Sequence, residues 1–392
     1  MNAARVFIHV QHLLGTGHAR RAAGLARAFA GQDFSVTVAS GGTPIPGLDW
    51  GGAEVIQLPA LRARDVEFKD LVDEHDRPID DVWREARKSA LLSAWRAAKA
   101  QVLVTELFPF GRRALRFELL PLMELAHGAR ARPLVLCSLR DIVAVKPDPA
   151  RQNEILDLVE RYFAAVMVHG DPEFLPLDAS FPAARRLGAR LHYTGYVLNP
   201  APPPYRAGQP GHNEVIVSAG GGAVGEKLMA AAMAARPLTR AATATWRFLV
   251  GAAHPGGAHG LNGRASSPLA QPGIVVEPAR ADFLRLLPNC RLAIGQGGYN
   301  TLMETVRVRV PAVIVPFSGG GETEQSMRVE RLRELGYVQS LAEADLEPRR
   351  LAKACDAALA ARIPQGIPWR MDGAATAARL VRRWVDEHQR AK

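Results

Sequence analysis

Residues Leu292 to Thr305 read LAIGQGGYNTLMET. Leu292 to Gly295 suits a buried strand, Gly297 and Gly298 a tight turn, and Leu302 to Val306 the helix that follows. Strand, glycine turn and helix form one βα step of a parallel sheet. Glycines there let the backbone come close to a ligand, and the opening turn of the helix offers N–H groups with no partner inside the helix.

The same step occurs twice more. Val215 to Ser218 runs into Ala219-Gly220-Gly221-Gly222-Ala223-Val224-Gly225, and Arg5 to Val10 runs into Leu14-Gly15-Thr16-Gly17-His18-Ala19-Arg20. Between these anchors, short apolar runs at Phe34–Ala39, Val55–Leu58, Val102–Thr105, Pro133–Ser138, Ala165–His169 and His192–Val197 read as strands. So do Trp246–Val250, Ile274–Glu277 and Val313–Pro316 in the second half. Helical patterns at Arg20–Ala30, Trp83–Ala100, Leu228–Ala235, Arg280–Leu287, Leu302–Val306 and Glu324–Leu335 alternate with them, so the fold class is α/β with mainly parallel sheets. The run Asn199-Pro200-Ala201-Pro202-Pro203-Pro204, with Gly208, Pro210 and Gly211 after it, cannot continue a helix or a central strand. It divides a first domain, 1–198, from a second, 212–370, with 199–211 as linker. A terminal helical segment, 371–392, docks locally or crosses back to the first domain.

The chain has 392 residues, 48% apolar and 22% charged, the make-up of a folded globular protein. Its net charge of +10 favours acidic partners, but aromatics are only 6% and accompany no basic run, so nucleic-acid binding is not expected. Cys137, Cys290 and Cys355 are odd in number and widely spaced, which points to neither a disulfide framework nor a zinc site. Met1 runs almost directly into the first strand and no apolar run reaches membrane-spanning length, so a cytoplasmic protein is expected.

Open parallel sheets bind ligands at the carboxyl ends of their strands, where the chain switches direction across the sheet. His18 stands at such an end in the first domain, with Gly15, Thr16 and Gly17 leading to it. An imidazole is the side chain best suited to take a proton near neutral pH. Glu106 and the pair Arg140-Asp141 follow neighbouring strands; Glu106 is expected to help hold an acceptor, Arg140 to pair with phosphate and Asp141 to orient His18. In the second domain the glycines at 220–222 form a nest of amides suited to phosphate oxygens. Gly297, Gly298, Asn300 and Thr301 open a second helix able to hold a diphosphate. Glu304, one turn beyond Asn300, could accept both hydroxyls of a ribose, and Glu324 and Gln325 could bond sugar hydroxyls. Neither a Walker loop nor a dinucleotide fingerprint is present.

GTGH near the start, with GQGGYNTLMETVRVRVPAVIVPF and GETEQ near the end, resembles the glycosyltransferases of family 28. The resemblance implies a GT-B fold of two Rossmann-like domains, a nucleotide-sugar donor held by the second and an acceptor by the first, with no metal or other cofactor. It implies donor diphosphate contacts at Gly221, Gly222, Gly297, Gly298 and Thr301, a ribose contact at Glu304, a sugar contact at Gln325, and His18 as base. The acceptor is either lipid-linked, with peripheral contact at the inner face of the membrane, or a small molecule. Other readings remain open: a nucleotide-sugar hydrolase in which His18 activates water, an epimerase, and a non-catalytic nucleotide-sugar-binding subunit.

Overall fold

The computed structural model describes residues 3–64, 70–143, 148–201, 206–219, 225–250, 272–280, 282–319 and 323–390. Two compact units emerge, 1–199 with 369–392 and 200–368. The boundary lies at Pro200, and the terminal helix belongs to the first unit.

The first unit is built on β1 (Ala4–Val10), β2 (Phe34–Ser40), β3 (Glu54–Gln57), β6 (Val102–Glu106), β7 (Leu134–Arg140), β8 (Ala165–His169) and β9 (Leu191–Tyr193). A two-stranded pair, β4 (Arg62–Ala63) and β5 (Leu71–Val72), stands apart from this sheet. Strand order is β3-β2-β1-β6-β7-β8-β9, parallel throughout. The chain winds outward from β1 in both directions, so β1 and β6 flank the switch point.

Alternation along the strands sorts two cores. Ala4, Val6, Ile8 and Val10 pack with the helix α1 (Gly17–Ala30), whereas Phe7 joins Trp95 and Leu119 on the opposite face. That second face is covered by α2 (Asp81–Ala98), α3 (Arg116–His127) and α4 (Pro149–Tyr162). The α3 and α4 segments escaped the sequence reading. The three cysteines are buried and unbridged.

The second unit repeats the plan with β10 (Val215–Ser218), β11 (Trp246–Val250), β12 (Ile274–Pro278), β13 (Leu292–Gly295), β14 (Ala312–Ile314) and β15 (Gln339–Ser340). Its order, β12-β11-β10-β13-β14-β15, is again parallel, with the switch between β10 and β13. The helices α5 (Glu226–Ala235), α6 (Phe283–Leu286), α7 (Tyr299–Val308), α8 (Glu324–Glu334) and α9 (Pro348–Ala360) follow in turn.

The chain returns to the first unit through a tight backbone contact. Tyr196 N–H donates to the Arg370 carbonyl at 2.9 Å and Gly373 N–H to the Tyr196 carbonyl at 3.0 Å. Trp369 packs on Phe174 with ring centroids 4.5 Å apart. The helix α10 (Gly373–Arg390) then lays Ala377, Ala378, Val381 and Val385 against the α1 side of the core. A Cβ on Gly373 would lie 2.1 Å from the Gly195 carbonyl oxygen, so only glycine permits this approach. Gly373→Ala should therefore cost about 1–3 kcal/mol of unfolding free energy in a urea titration; an unchanged midpoint would show that the helix does not dock this way. No helix among the described residues is long and apolar enough to cross a membrane.

Candidate active site

The first turn of α1 brings His18 to the switch point, and β6 ends there with Glu106. His18 Nδ1 lies 3.0 Å from Glu106 Oε1. A carboxylate only accepts, so Nδ1 carries the proton and the lone pair is on Nε2. That nitrogen has no hydrogen bond among the described residues, and the side chain keeps 16% of its surface exposed. The arrangement has the form of a general base backed by an orienting carboxylate.

Glu106 is 1% exposed and held from several sides. Arg21, one turn after His18 on α1, donates to the same Oε1 and lies 3.1 Å from His18 Nδ1. Ser138, opposite Glu106 in the β6–β7 register, donates to Oε2. Behind it, Ser138 Oγ is 3.0 Å from His169 Nε2, and His169 Nδ1 is 2.8 Å from Thr194 Oγ1. Because the serine proton goes to the carboxylate, His169 Nε2–H must donate to Ser138, leaving Nδ1 to accept from Thr194. Burial, then Arg21, pushes His169 down to about 3, which keeps it in this neutral form.

Burial alone would raise the Glu106 carboxyl, but Arg21 and His18 outweigh it and hold it well below the usual carboxylate range. His18 is pushed well below 6.5, first by burial and then by the Arg112 cation, against the pull of Glu106. At neutral pH the pair is thus ionised carboxylate and neutral imidazole.

Two roles expected from the sequence change. Glu106, not Asp141, orients His18. The Asp141 carboxylate is fully buried and turned away, receiving the Ile142 N–H at 3.0 Å and the Tyr196 hydroxyl at 3.2 Å. The reason is pleating and turn direction: Ser138 faces Glu106 across the ladder, while Asp141 lies beyond the end of β7. Arg140 closes β7 beside this cluster, close enough to Arg112 for repulsion. Gly15 is exposed, Thr16 caps α1 without a side-chain bond to its amides and instead accepts from Arg20 Nε at 3.2 Å, and Gly17 is the first helical residue.

Glycines at the carboxyl end of β2 serve the site's walls. A Cβ on Gly42 would lie 2.4 Å from the His12 ring, and one on Gly41 would meet Arg87 at 2.2 Å. Arg87 is fully buried, bonding Glu118 Oε2 at 2.7 Å, Gln11 Oε1 at 2.7 Å, the Gly41 carbonyl at 2.9 Å and the Pro59 carbonyl. It ties the loops after β1 and β2 to α2 and α3.

In the second unit, the register aligns Ser218, Gly295 and Ile314 in one row at the sheet's carboxyl edge. Gly298 caps α7, and no described residue fills the space its Cβ would occupy. Gly297 is sterically required, since a Cβ there would lie 2.7 Å from Val329 Cγ2. Asn300 and Thr301 are partly exposed in the first turn, and Thr301 with Thr305, Ser218 and Gly295 lines a small cleft. Glu304 is 4% exposed, more enclosed than a surface acid of a helix.

Glu324 differs from expectation. It is buried at the start of α8 and paired through Oε1 with Arg328 at 2.9 Å, so the expected sugar contact would have to use its remaining acceptor sites. Arg328, fully buried and absent from the sequence reading, reaches the Gly297 carbonyl at 3.3 Å and lies 5.4 Å from the Tyr299 ring centroid, bracing the glycine turn from beneath. Gln325 accepts the Phe317 N–H through Oε1 at 3.1 Å, leaving its amide N–H groups as donors. Gly221 and Gly222 lie outside the described residues.

Residues 276–363, which carry Gly297, Gly298, Asn300, Thr301, Glu304, Glu324 and Gln325, match the glycosyltransferase family 28 C-terminal domain. The match lies wholly within the second unit. An uncharacterized glycosyltransferase of Methanopyrus kandleri is 31% identical over 105 residues, 27% of this chain and 30% of that protein. The alignment thus spans under a third of the relative's length. MurG of Acinetobacter baumannii superposes with a TM-score of 0.57 at 15% identity, over 97% of this chain and 99% of its own. A Streptomyces sp. SF2575 glycosyltransferase, SsfS6, complexed with thymidine diphosphate, gives 0.58 at 14%, over 97% and 99%. Likeness at these identities establishes the GT-B fold of both units.

Proposed function

We propose that the protein is an inverting, metal-independent glycosyltransferase that moves a sugar from a nucleoside-diphosphate donor, a UDP-sugar, to an acceptor hydroxyl. The observation carrying this reading is the buried Arg21–Glu106–His18 chain, which leaves Nε2 as an open, neutral base at a sheet switch point. An attacking hydroxyl must lose its proton, and the departing diphosphate must be neutralised. His18 would do the first. The amides at Gly297 and Gly298, with Asn300 and Thr301, would do the second, because the helix start carries partial positive charge. Attack by the deprotonated hydroxyl on the face away from the departing diphosphate is a single in-line displacement, and such a step inverts the anomeric carbon.

The family 28 match of residues 276–363 supports donor binding by the second unit. Glu304 then holds the ribose hydroxyls and Gln325 donates to the sugar. Glu304→Ala should raise the Kd for UDP or TDP by about 10-fold or more, since a charge-assisted hydrogen bond is worth roughly 1.5–3 kcal/mol. Calorimetry checks this; unchanged affinity would remove Glu304 from the donor site. The deciding experiment incubates the enzyme with UDP- and TDP-sugars with and without an acceptor panel. Nucleoside diphosphate release that requires an acceptor supports transfer. Free sugar formed at turnover rate without one makes the protein a hydrolase, and binding without turnover makes it a binding subunit.

A further inference from the structure

The α1-facing positions of three neighbouring strands run apolar, apolar, polar. They are Val102, Val104 and Glu106 on β6, Leu134, Leu136 and Ser138 on β7, and Ala165, Met167 and His169 on β8. At the carboxyl edge, where each strand could have closed on an apolar residue, a polar row is buried instead: Glu106 and Ser138 are 1% exposed, and His169 and Thr194, which follows β9, are fully enclosed. Burying such groups is unfavourable unless each finds a partner. A row engaged in this way is rigid, because in a low-dielectric interior each bond fixes the next.

The protons along this row all point toward Glu106. Thr194 donates to His169 Nδ1 at 2.8 Å, His169 Nε2–H donates to Ser138 Oγ at 3.0 Å, the Ser138 hydroxyl donates to Glu106 Oε2, and His18 Nδ1–H donates to Glu106 Oε1 at 3.0 Å. The carboxylate is gripped from behind through one oxygen and presents the other to the imidazole. Turning the Ser138 hydroxyl toward His169 would set its lone pairs against the carboxylate, so the order of donors is fixed. His169, pushed down to about 3 by burial and then Arg21, stays neutral near pH 7 and keeps its place in that order.

We infer that Ser138 and His169 are positioning residues: they hold Glu106 so that Oε1 meets His18 Nδ1–H, and through it they decide which imidazole nitrogen receives the acceptor's proton. Placing His18 as the base rests on the transfer reading above; the hold of the row on the imidazole does not. A hydroxyl bonded to Oε2 also draws charge off Oε1, which weakens the pull of Glu106 on a protonated His18. Losing that hydroxyl should therefore make His18 easier to protonate. The other ionisable groups around the pair are Arg21 on α1, Arg112 in the turn after β6, Arg140 at the end of β7, and Cys137, whose thiol burial pushes well up. All of them remain when only the hydroxyl is removed.

The test uses the full-length protein labelled with nitrogen-15 in histidine, where long-range proton–nitrogen NMR correlations report the tautomer and pKa of each imidazole and His18→Gln identifies the His18 signals. In wild type, His18 should carry its proton on Nδ1 and His169 on Nε2. In Ser138→Ala the His18 pKa should rise by about 0.5–1, the equivalent of one net hydrogen bond, and the acid limb of the pH–rate profile should move up with it. That is opposite to the shift caused by losing the Glu106 charge, which raises the His18 pKa. In the same variant kcat should fall by about 10-fold with the Kd for UDP within twofold. Ser138→Thr restores the hydroxyl and should return pKa and kcat close to wild type. His169→Phe should act in the same direction, and adding it to Ser138→Ala should change little further, because the two act in series. A wild-type His18 protonated on Nε2, a His18 pKa that falls in Ser138→Ala, or full additivity of the two substitutions overturns the inference. So does a His18 tautomer, pKa and acid limb unmoved in both variants, which leaves Ser138 and His169 a role in stability alone, read as a lower melting temperature. NMR shifts of the expected sign in a protein that transfers no sugar leave the row standing and defeat the transfer reading.

Discussion

His18→Gln is expected to lower kcat by about 10²–10⁴-fold while leaving the Kd for UDP within twofold, because a positioned general base contributes that much to proton transfer and nothing to donor binding. Glu106→Gln should produce a loss of the same order by a different route. An amide can donate to Nδ1, which drives the proton onto Nε2 and leaves the base in the wrong tautomer. The pH profile separates base from bystander. The base works only when neutral, so activity falls as pH drops through the His18 pKa. Burial and Arg112 place that pKa below 6.5, and the rate should therefore hold down to mildly acidic pH. Glu106 is one of the groups raising it, so in Glu106→Gln the acid limb should move lower still. A His18→Gln variant with near wild-type kcat, or one that loses UDP affinity in step with kcat, would remove His18 from the role of base.

The strands and the glycine turns were legible because each depends on short stretches of chain: an apolar run long enough to cross a sheet, then residues that cannot continue it. The partners within the site were not. Arg21 meets Glu106 across 85 positions and Ser138 meets His169 across 31, contacts that only strand order creates. Position at a strand end singled out both Glu106 and Asp141, yet it could not say which carboxylate turns toward His18, since that follows from pleat and register. Arg328 was within reach. Its i,i+4 spacing from Glu324 is a helix-pairing signal that points to the ion pair the fold makes. The α3 helix carries Pro121 in its interior and a weakly segregated apolar face, which hid it.

Arg87 shows the same gap between local pattern and three-dimensional role, and its replacement should have the largest effect on stability. On sequence it is one of several arginines on an amphipathic helix; in the fold it is fully buried, with two bonds to Glu118 and others to Gln11 and the carbonyls of Gly41 and Pro59. Arg87→Met should destabilise the first unit by about 3–5 kcal/mol, because it leaves Glu118 as an uncompensated buried charge, and should lower its melting temperature by roughly 10 °C. The sign of the pH dependence follows from Glu118. Burial would raise its carboxyl, but Arg87, with His9 3.5 Å away adding to it, holds it down at about 2 against an ordinary 4.5, so its contribution is complete above about 4.5 and is lost as pH falls toward 2. In Arg87→Met the carboxyl is left with burial as its main influence and gains by protonation, so the gap between variant and wild type should narrow as pH drops below about 4.5. Adding Glu118→Leu should recover part of the loss, since removing both charges abolishes the unpaired one. Thermal unfolding across that pH range tests all three; a gap that widens in acid, or a double variant no more stable than the single, would show that Arg87 stabilises the unit by packing alone.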